Sequence, residues 1–390
     1  VNILIGITGS IAAYKAMDVI RRRKKHGDDV RVILTRSAGH FITPLCCQTI
    51  SENEVYTEQF VLTKGIKHLT LAEWADILIV APATANIIGK AACGIADDLL
   101  STTLVSFPKP ILLVPAMDTG MWVNPIVQEN VARLRAVGFS VLEPGCGALA
   151  SGKKGRGRFP DPQLIDRTID VVAGKLKSLR GKNFLISGGR TEEDIDPVRV
   201  VTNRSSGTMA RELLYAVLAR GGNARCIMGQ TTIDIVPGMD VIRVRTAGEM
   251  LRELERHVTW CDCLIMAAAV GDYKPDKKAA HKVHDRLFNV SMKKNKDILK
   301  TLKSHKDKRY FIGFSLEDKN VVVQGKKKLK EKGLDLIVLN GRATIGQDKT
   351  KARLLFATGI SRSLGMLSKR ECAHHILDAY MDHSTVKKQK

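Results

Sequence analysis

Short apolar, β-branched runs, each leading into a helical stretch, recur along this chain, and that rhythm confines it to parallel α/β architectures. Val1 to Ile7, Val30 to Thr35, Ile77 to Ala81 and Ile111 to Val114 are predicted strands, with a helix from about Ser10 to His26 between the first two. A Gly- and Arg-rich segment, Gly145 to Phe159, and a helix from about Pro162 to Lys177 follow. The rhythm restarts at Phe184-Leu185-Ile186-Ser187-Gly188-Gly189, then continues with a helix around Ser206 to Arg220 and strands at Ala224 to Met228, Cys263 to Ala267 and Leu336 to Val338. The expected fold is α/β with two Rossmann-like parallel-sheet domains, residues 1–178 and 179–390, divided near Leu179. The repetition is architectural, because no sequence motif recurs.

At 390 residues and 44% hydrophobic content, the chain has apolar material for two cores. No run of 18 or more apolar residues offers a membrane span, and the first residues enter a strand without a charged leader. A cytoplasmic protein with no membrane partner is expected. The eight cysteines include no Cys-x-x-Cys, which argues against a paired zinc site or a disulfide framework and for reduced thiols. A formal charge of +22 would suit a nucleic-acid binder, yet the basic residues are spread along the chain without an aromatic-interleaved patch. Anionic small substrates explain part of that charge, and nucleic acid is not an expected partner. Lys326, Lys327, Lys328, Lys330 and Lys332 read most simply as a solvated helix face.

The first predicted strand ends in Gly6-Ile7-Thr8-Gly9-Ser10-Ile11-Ala12-Ala13-Tyr14-Lys15. Small residues let the backbone approach a ligand there, and the next helix offers its N-terminal N–H groups to a phosphate. Tight strand-to-helix packing explains such a turn equally well. Two more stretches bear on the choice: Ala81-Pro82-Ala83-Thr84-Ala85-Asn86 with Gly94-Ile95-Ala96-Asp97-Asp98-Leu99-Leu100, and Pro115-Ala116-Met117-Asp118-Thr119-Gly120-Met121-Trp122. Together with the glycine turn they resemble the homo-oligomeric flavin-containing cysteine decarboxylases, over about residues 1 to 175. The resemblance implies a flavodoxin-like fold that binds FMN between subunits, its phosphate near Gly9 and Ser10, with Ile11 also among the cofactor-binding residues and further contacts near Thr35, Ser37, Thr84 and Asn86. His68, ahead of Leu69, Leu71 and Trp74-Ala75-Asp76, falls on that family's active-site histidine, although a lone histidine is more often structural or exposed. The implied chemistry is oxidation of a cysteine thiol by FMN, loss of CO2 from the thioaldehyde, and re-reduction of the enethiolate. It requires a base near the thiol and a proton donor near the enethiolate.

Two positions depart from that pattern. Asp118 stands where the family places an asparagine implied to hold the substrate carboxylate. An ionised aspartate would repel that carboxylate by about 4 kcal/mol at roughly 4 Å and an effective dielectric of about 20. The alternative is a neutral Asp118, its pKa raised by crowding with the substrate anion, that donates the hydrogen bond. Gly147-Ala148-Leu149-Ala150-Ser151-Gly152-Lys153-Lys154-Gly155-Arg156-Gly157-Arg158 matches the family's mobile substrate clamp, but its proton-donating cysteine is Ser151 here. A hydroxyl is far less acidic than a thiol, so proton delivery should slow; Cys146, just upstream, is an alternative donor. Read without the resemblance, these glycines make a flexible surface loop.

In the second half, Ser187-Gly188-Gly189-Arg190-Thr191 follows a strand, and Asp196-Pro197-Val198-Arg199 precedes Thr202-Asn203-Arg204-Ser205-Ser206-Gly207-Thr208-Met209-Ala210. Neutral donors, a helix start and an arginine suit a phosphorylated substrate. With Ala267-Ala268-Ala269-Val270-Gly271-Asp272-Tyr273 and Asn295-Lys296-Asp297-Ile298-Leu299 they resemble the phosphopantothenate-cysteine ligases over about residues 180 to 380. That resemblance implies activation of the 4'-phosphopantothenate carboxylate by CTP as an acyl-cytidylate, which the amine of cysteine then attacks. It places Asn203 on the acyl-cytidylate, Asp272, Asn295, Asp297, Ile298, Phe314, Lys328 and Lys332 around the nucleotide, and Lys282 on the first lysine of a Lys-x-Lys-Lys motif. Two departures stand out: Val283-His284-Asp285 after Lys282, and Gly313-Phe314-Ser315-Leu316-Glu317-Asp318 in the nucleotide segment. A triphosphate calls for lysines and Mg2+; Asp276, Asp285 and Glu317 are available carboxylates, but phosphate and water supply most of the ligands of such an ion. Surface exposure is the simpler account of each lysine taken alone.

The expected function is bifunctional: CTP-dependent ligation of 4'-phosphopantothenate with cysteine, then FMN-dependent decarboxylation of phosphopantothenoylcysteine to 4'-phosphopantetheine. The expected assembly is a homo-oligomer, trimeric through the first domain and dimeric through the second. An active ligase with an impaired decarboxylase, and a flavin-binding scaffold or regulatory pseudoenzyme, are the alternatives.

Overall fold

The apolar runs lack polar alternation because their strands are covered on both faces, as parallel strands are. Strands β1 (Asn2–Ile7), β2 (Asp29–Leu34), β3 (Val55–Tyr56), β4 (Ile77–Ala83), β5 (Ile111–Pro115) and β6 (Ser140–Val141) form one parallel sheet in the order β3-β2-β1-β4-β5-β6. All seven residues of β4 and all five of β5 are buried. Apart from the two-residue edge strand β3, the order is flavodoxin-like. In this computed structural model residues 1–60, 66–174, 178–233, 235, 239–282, 288–316, 321–341, 347 and 349–388 are described. The chain divides into two compact units, Val1–Lys175 and Leu176–Lys390.

In the first unit, helices α1 (Ala13–Lys25), α2 (Pro44–Ser51), α3 (Lys67–Trp74), α4 (Ala85–Cys93), α5 (Leu99–Ser106), α6 (Thr119–Trp122), α7 (Pro125–Ala136) and α8 (Pro162–Ala173) connect the strands. Their starts are written in the sequence: Thr84, Asp98, Asn124 and Asp161 accept hydrogen bonds from the first-turn N–H groups of α4, α5, α7 and α8. Helix α8, predicted to run to Lys177, ends at Ala173, because Gly174 takes the left-handed conformation (φ 52°) that closes a helix. Helices α1 and α8 are tied through Arg23, which is 1% exposed and meets Asp28 at 2.5 Å, Asp166 at 3.0 Å and Asp170 at 2.8 Å. Burial opposes the guanidinium charge, but Asp170, Asp28 and Asp166 outweigh it and push its pKa above the ordinary value. The predicted Gly- and Arg-rich loop is an antiparallel hairpin of β7 (Gly145–Ala148) and β8 (Lys154–Arg158).

The second unit repeats the plan. Its strands are β9 (Asn183–Gly188), β10 (Glu192–Asp194), β11 (Val200–Thr202), β12 (Asn223–Met228), β13 (Val241–Arg243), β14 (Cys263–Met266), β15 (Tyr273–Pro275), β16 (Met292–Lys294), β17 (Tyr310–Leu316), β18 (Leu336–Asn340), β19 (Lys349–Phe356) and β20 (Ser361–Ser368). The main sheet runs β13-β12-β9-β14-β17-β18-β19-β20, parallel up to β18 and closed by the antiparallel β19 and β20. The pairs β10–β11 and β15–β16 stand apart as antiparallel ribbons. Helices α9 (Thr208–Ala219), α10 (Ala247–His257), α11 (Ile298–Leu302), α12 (Val321–Lys332) and α13 (Lys369–Lys388) cover it. Leu185, Ile227, Leu264, Phe311 and Ile337 form the spine of this core. All eight cysteines are free: Cys46, Cys93 and Cys146 are exposed and the other five buried. No helix among the described residues is long and apolar enough to cross a membrane.

Candidate active sites

In the first sheet the chain leaves β1 toward β2 and β3 but returns on the other side at β4, so a crevice opens beyond the strand ends at that crossover. The predicted flavin residues converge there. Thr8 Oγ1 donates to the Pro82 carbonyl at 2.7 Å and accepts from the Thr84 N–H at 3.3 Å, tying the β1 turn to the β4 turn. Thr35 Oγ1 donates to the Ile7 carbonyl at 3.1 Å and accepts from the Ala38 N–H at 3.3 Å, bringing in the end of β2. Gly9 presses on Ser37, since a Cβ at Gly9 would lie 2.5 Å from that of Ser37. Ser10 Oγ accepts from the Ala12 N–H, while Ile11, Ser37 and Asn86 are exposed. Gly9, Ser10, Thr35, Ser37, Thr84 and Asn86 are neutral donors and acceptors with no carboxylate among them, a set that suits a phosphate and a polar ring.

Beside this turn lies a cavity of about 510 Å3 lined by Ser10, Ile11, Tyr14, Met117, Asp118 and Ser151, among others. Asp118 caps α6: Oδ1 accepts from the Gly120 N–H at 3.0 Å, and Oδ2 accepts from the Ser151 hydroxyl at 2.7 Å. The hydrogen bonds from Ser151 and then Gly120 hold the Asp118 carboxyl below the ordinary aspartate range, against desolvation and with help from Lys153. The hairpin is docked, not loose. The Met117 N–H donates to the Gly157 carbonyl at 3.0 Å, and a Cβ at Gly157 would meet the Met117 carbonyl oxygen at 2.1 Å. A Cβ at Gly155 would likewise strike Thr119 Oγ1 at 2.2 Å. These two glycines are therefore contact residues and not part of a flexible surface loop.

His68 sits half-buried on α3, a helix packed on α5, and is not among the residues lining this cavity. Cys146 is exposed on β7, paired in register with Arg156, and does not line it either.

In the second unit, the β9 turn is again the hub. Gly189 has φ 72°, and a Cβ there would lie 2.8 Å from the Gln230 carbonyl oxygen. Arg190 pairs through its backbone with Gln230 and Ala269, and its Nη1 donates to the Ser205 carbonyl at 3.0 Å. Thr191 Oγ1 accepts from the Gly271 N–H at 2.9 Å, and Asn203 Nδ2 donates to the Val270 carbonyl at 2.9 Å. Asn295 donates from its N–H to the Asp272 carbonyl and from Nδ2 to that of Gly271. Asp297 caps α11 and meets Lys332 Nζ at 3.1 Å, placing Ile298, buried, on the first turn. Lys328 Nζ donates to Ser315 Oγ at 2.9 Å. A cavity of about 240 Å3 opens at the α9 N-terminus, lined by Ser206, Gly207, Ala268, Phe314, Thr350 and Lys369 among others.

The structure thus joins Asn203, Asp272 and Asn295 in one loop network beside the Phe314 cavity. Lys282 is exposed, and Val283, His284, Asp285, Glu317 and Asp318 lie outside the described residues. Asp276 is engaged by Lys293 at 2.9 Å. Among the described residues no cluster of three or more His, Cys, Asp or Glu side chains is arranged to hold a metal. Thr350 and Lys369, from β19 and α13, line the cavity without any motif to announce them; only their place beyond the last parallel strand brings them there.

Comparison with known proteins follows this division. Residues 1–174 match the Flavoprotein family, and residues 179–383 match the DNA/pantothenate metabolism flavoprotein C-terminal domain. The coenzyme A biosynthesis bifunctional protein CoaBC of Bacillus subtilis (strain 168) is 37% identical over 387 residues, covering 96% of this chain and 95% of its own. Among solved structures, the C-terminal domain of a coenzyme A biosynthesis bifunctional protein CoaBC is 32% identical, with a TM-score of 0.48, covering 54% of this chain and 98% of that one. The FMN-dependent cysteine decarboxylase SpaF is 32% identical, with a TM-score of 0.37, covering 40% of this chain and 89% of that one. Two family models in tandem and a relative matched over nearly its full length establish that the chain belongs to the bifunctional coenzyme A biosynthesis proteins, enzymes that carry a flavoprotein decarboxylase and a ligase in one polypeptide.

Proposed function

We infer that the second unit joins 4'-phosphopantothenate to cysteine with CTP, and that the first decarboxylates the resulting phosphopantothenoylcysteine to 4'-phosphopantetheine on FMN. The observation that carries the reading of the first unit is the convergence of Gly9, Ser10, Thr35, Ser37 and Thr84 at the β1/β4 crossover, beside the cavity that holds Asp118 and Ser151. When bound, FMN supplies the two-electron chemistry at the substrate thiol. Gly9 and Ser10 would hold its phosphate and Thr84 and Asn86 its ring edge, while the docked hairpin keeps bulk water from the reacting carbon.

His68 does not line the cavity that holds Asp118 and Ser151 in its own chain, which supports a site completed by a second copy in a homo-oligomer, trimeric through the first unit. In the second unit Asn203 is poised beside the acyl-cytidylate position, and Asp272, Asn295, Asp297, Ile298 and Phe314 surround the nucleotide. Lys328, Lys332 and Lys282 meet the triphosphate, with Mg2+ held mainly by phosphate and water. Dimerisation of this unit and a cytoplasmic setting complete the reading.

The test is a mass-resolved assay of the FMN-loaded protein with 4'-phosphopantothenate, cysteine, CTP and Mg2+. Stoichiometric pyrophosphate and 4'-phosphopantetheine are expected. Pyrophosphate with phosphopantothenoylcysteine as the end product would leave only the ligase, and neither product would sink both assignments.

A further inference from the structure

The two positions at which the first half leaves the decarboxylase pattern touch each other. The Ser151 hydroxyl donates to Asp118 Oδ2 at 2.7 Å, and both side chains line the same cavity. The pair is fixed from both sides: the Gly120 N–H holds Asp118 Oδ1, and the hairpin carrying Ser151 is docked on the Met117–Thr119 turn through Gly155 and Gly157. A lone serine hydroxyl is a weak acid, but a hydroxyl joined to a carboxyl group can pass on that group's proton. We propose that Asp118 and Ser151 form a proton relay for decarboxylation, Asp118 storing the proton and Ser151 handing it to the carbon that has lost CO2. This rests on the decarboxylase reading of the first unit.

The step balances. Loss of CO2 leaves the electron pair of the broken C–C bond in the enethiolate. The Ser151 O–H bond breaks as a C–H bond forms at that carbon, giving a thioaldehyde. The Asp118 O–H bond breaks to restore the Ser151 hydroxyl, leaving Asp118 as a carboxylate that takes its next proton from water. The two electrons removed from the thiol earlier in the turnover return to the thioaldehyde carbon, so no outside oxidant or reductant enters.

At rest Ser151 is the donor and Asp118 the ionised acceptor. Entry of the substrate carboxylate places a second negative charge in the cavity and favours protonated Asp118, and the same short contact then runs from the acid to Ser151 Oγ. Lys153 of the hairpin turn faces Asp118, and Lys15 of α1, Tyr14 and Arg158 of β8 are the other titratable groups lining the cavity. The positive charge of Lys15, Lys153 and Arg158 draws the substrate carboxylate in and limits how far the pKa of Asp118 rises, while the Tyr14 phenol adds a neutral hydroxyl.

The test is single turnover of the FMN-loaded full chain with phosphopantothenoylcysteine, following flavin absorbance and product mass across pH. In the parent, the rate of flavin reoxidation is expected to fall as pH rises through the Asp118 titration. Asp118→Asn keeps the acceptor for Ser151 and the cap on Gly120 but carries no transferable acid proton. It should still bleach the flavin, reoxidise it at least about tenfold more slowly, accumulate product lighter by two hydrogens, and lose the pH dependence. Ser151→Ala should stall in the same way, and adding Ser151→Cys to Asp118→Asn should restore reoxidation by supplying an acidic thiol. Reoxidation in Asp118→Asn within about twofold of the parent, with the same pH profile, would overturn the relay. A parent that neither bleaches nor releases CO2 would instead overturn the decarboxylase reading, and the relay with it.

Discussion

Arg23 shows at the level of one residue how the first unit is held together. Its guanidinium meets three carboxylates, Asp28, Asp166 and Asp170, almost entirely out of water. Such a cluster is weak evidence for net stability, because desolvation offsets much of the attraction, but removing one partner leaves the others uncompensated. Arg23→Met should therefore cost about 3–5 kcal/mol in the first unit, read as a lower urea midpoint of its transition. A loss below roughly 1 kcal/mol would mean that water enters the cluster and solvates the acids. Composition gives no sign of this residue: in Arg21-Arg22-Arg23-Lys24-Lys25 it looks like any other member of a basic run, and only its place on the helix turns it inward. The lysines of α12 divide in the same way. Lys326, Lys327 and Lys330 are exposed, whereas Lys328 and Lys332, four apart on one helix face, reach Ser315 and Asp297.

At the scale of elements, local chemistry fixes where helices begin. Thr246 Oγ1 accepts from the Glu249 N–H at 3.1 Å, and Glu249 returns the contact to the Arg245 and Thr246 N–H groups, a reciprocal cap on α10. The Arg245 N–H, against desolvation and aided by Thr246, holds the Glu249 carboxyl below the ordinary range. A lowered folded pKa means stability that is complete above the unfolded value, about 4.3, and is lost as pH falls through the lower folded one. Thr246→Ala should cost about 1 kcal/mol at neutral pH, and Glu249→Gln should flatten the acid-side decline in the unfolding midpoint of the second unit. An unchanged acid limb would assign that decline to other carboxylates. Elements of this kind were legible in the sequence, since β1, β2, β4, β5, β9, β12, β14 and β18 coincide within a few residues with apolar runs. The β7–β8 hairpin and the β19–β20 edge were not. The hairpin strand β8 carries glycine where the Met117–Thr119 turn must approach, which erases the period-2 signal, and β20 is mostly exposed, with polar and apolar residues in equal number. The β1 turn was readable as a candidate phosphate site only in part, because its tie to Thr35 and Thr84 depends on strands that are adjacent in the sheet but distant in sequence.

For the whole molecule, each unit has its own sheet and its own buried core. The proposed site residues follow that division: Gly9 through Ser151 belong to the first unit and Asn203 through Lys332 to the second. Two activities in one chain then amount to two folds joined by a connection, and the proposed chemistry requires only that the ligated product leave one unit and enter the other. The expectation is that a chain cut between the matched regions, after Gly174 and before Leu179, gives two fragments that each unfold cooperatively. The first fragment should bind FMN and decarboxylate added phosphopantothenoylcysteine, and the second should release pyrophosphate from CTP only with 4'-phosphopantothenate present. Co-incubated fragments should make 4'-phosphopantetheine from the starting substrates at a rate that falls on dilution, because the intermediate now crosses solution. If the second fragment were active only when the first was added, the ligase site would draw a residue from across the division, and the two folds would work as one catalytic body.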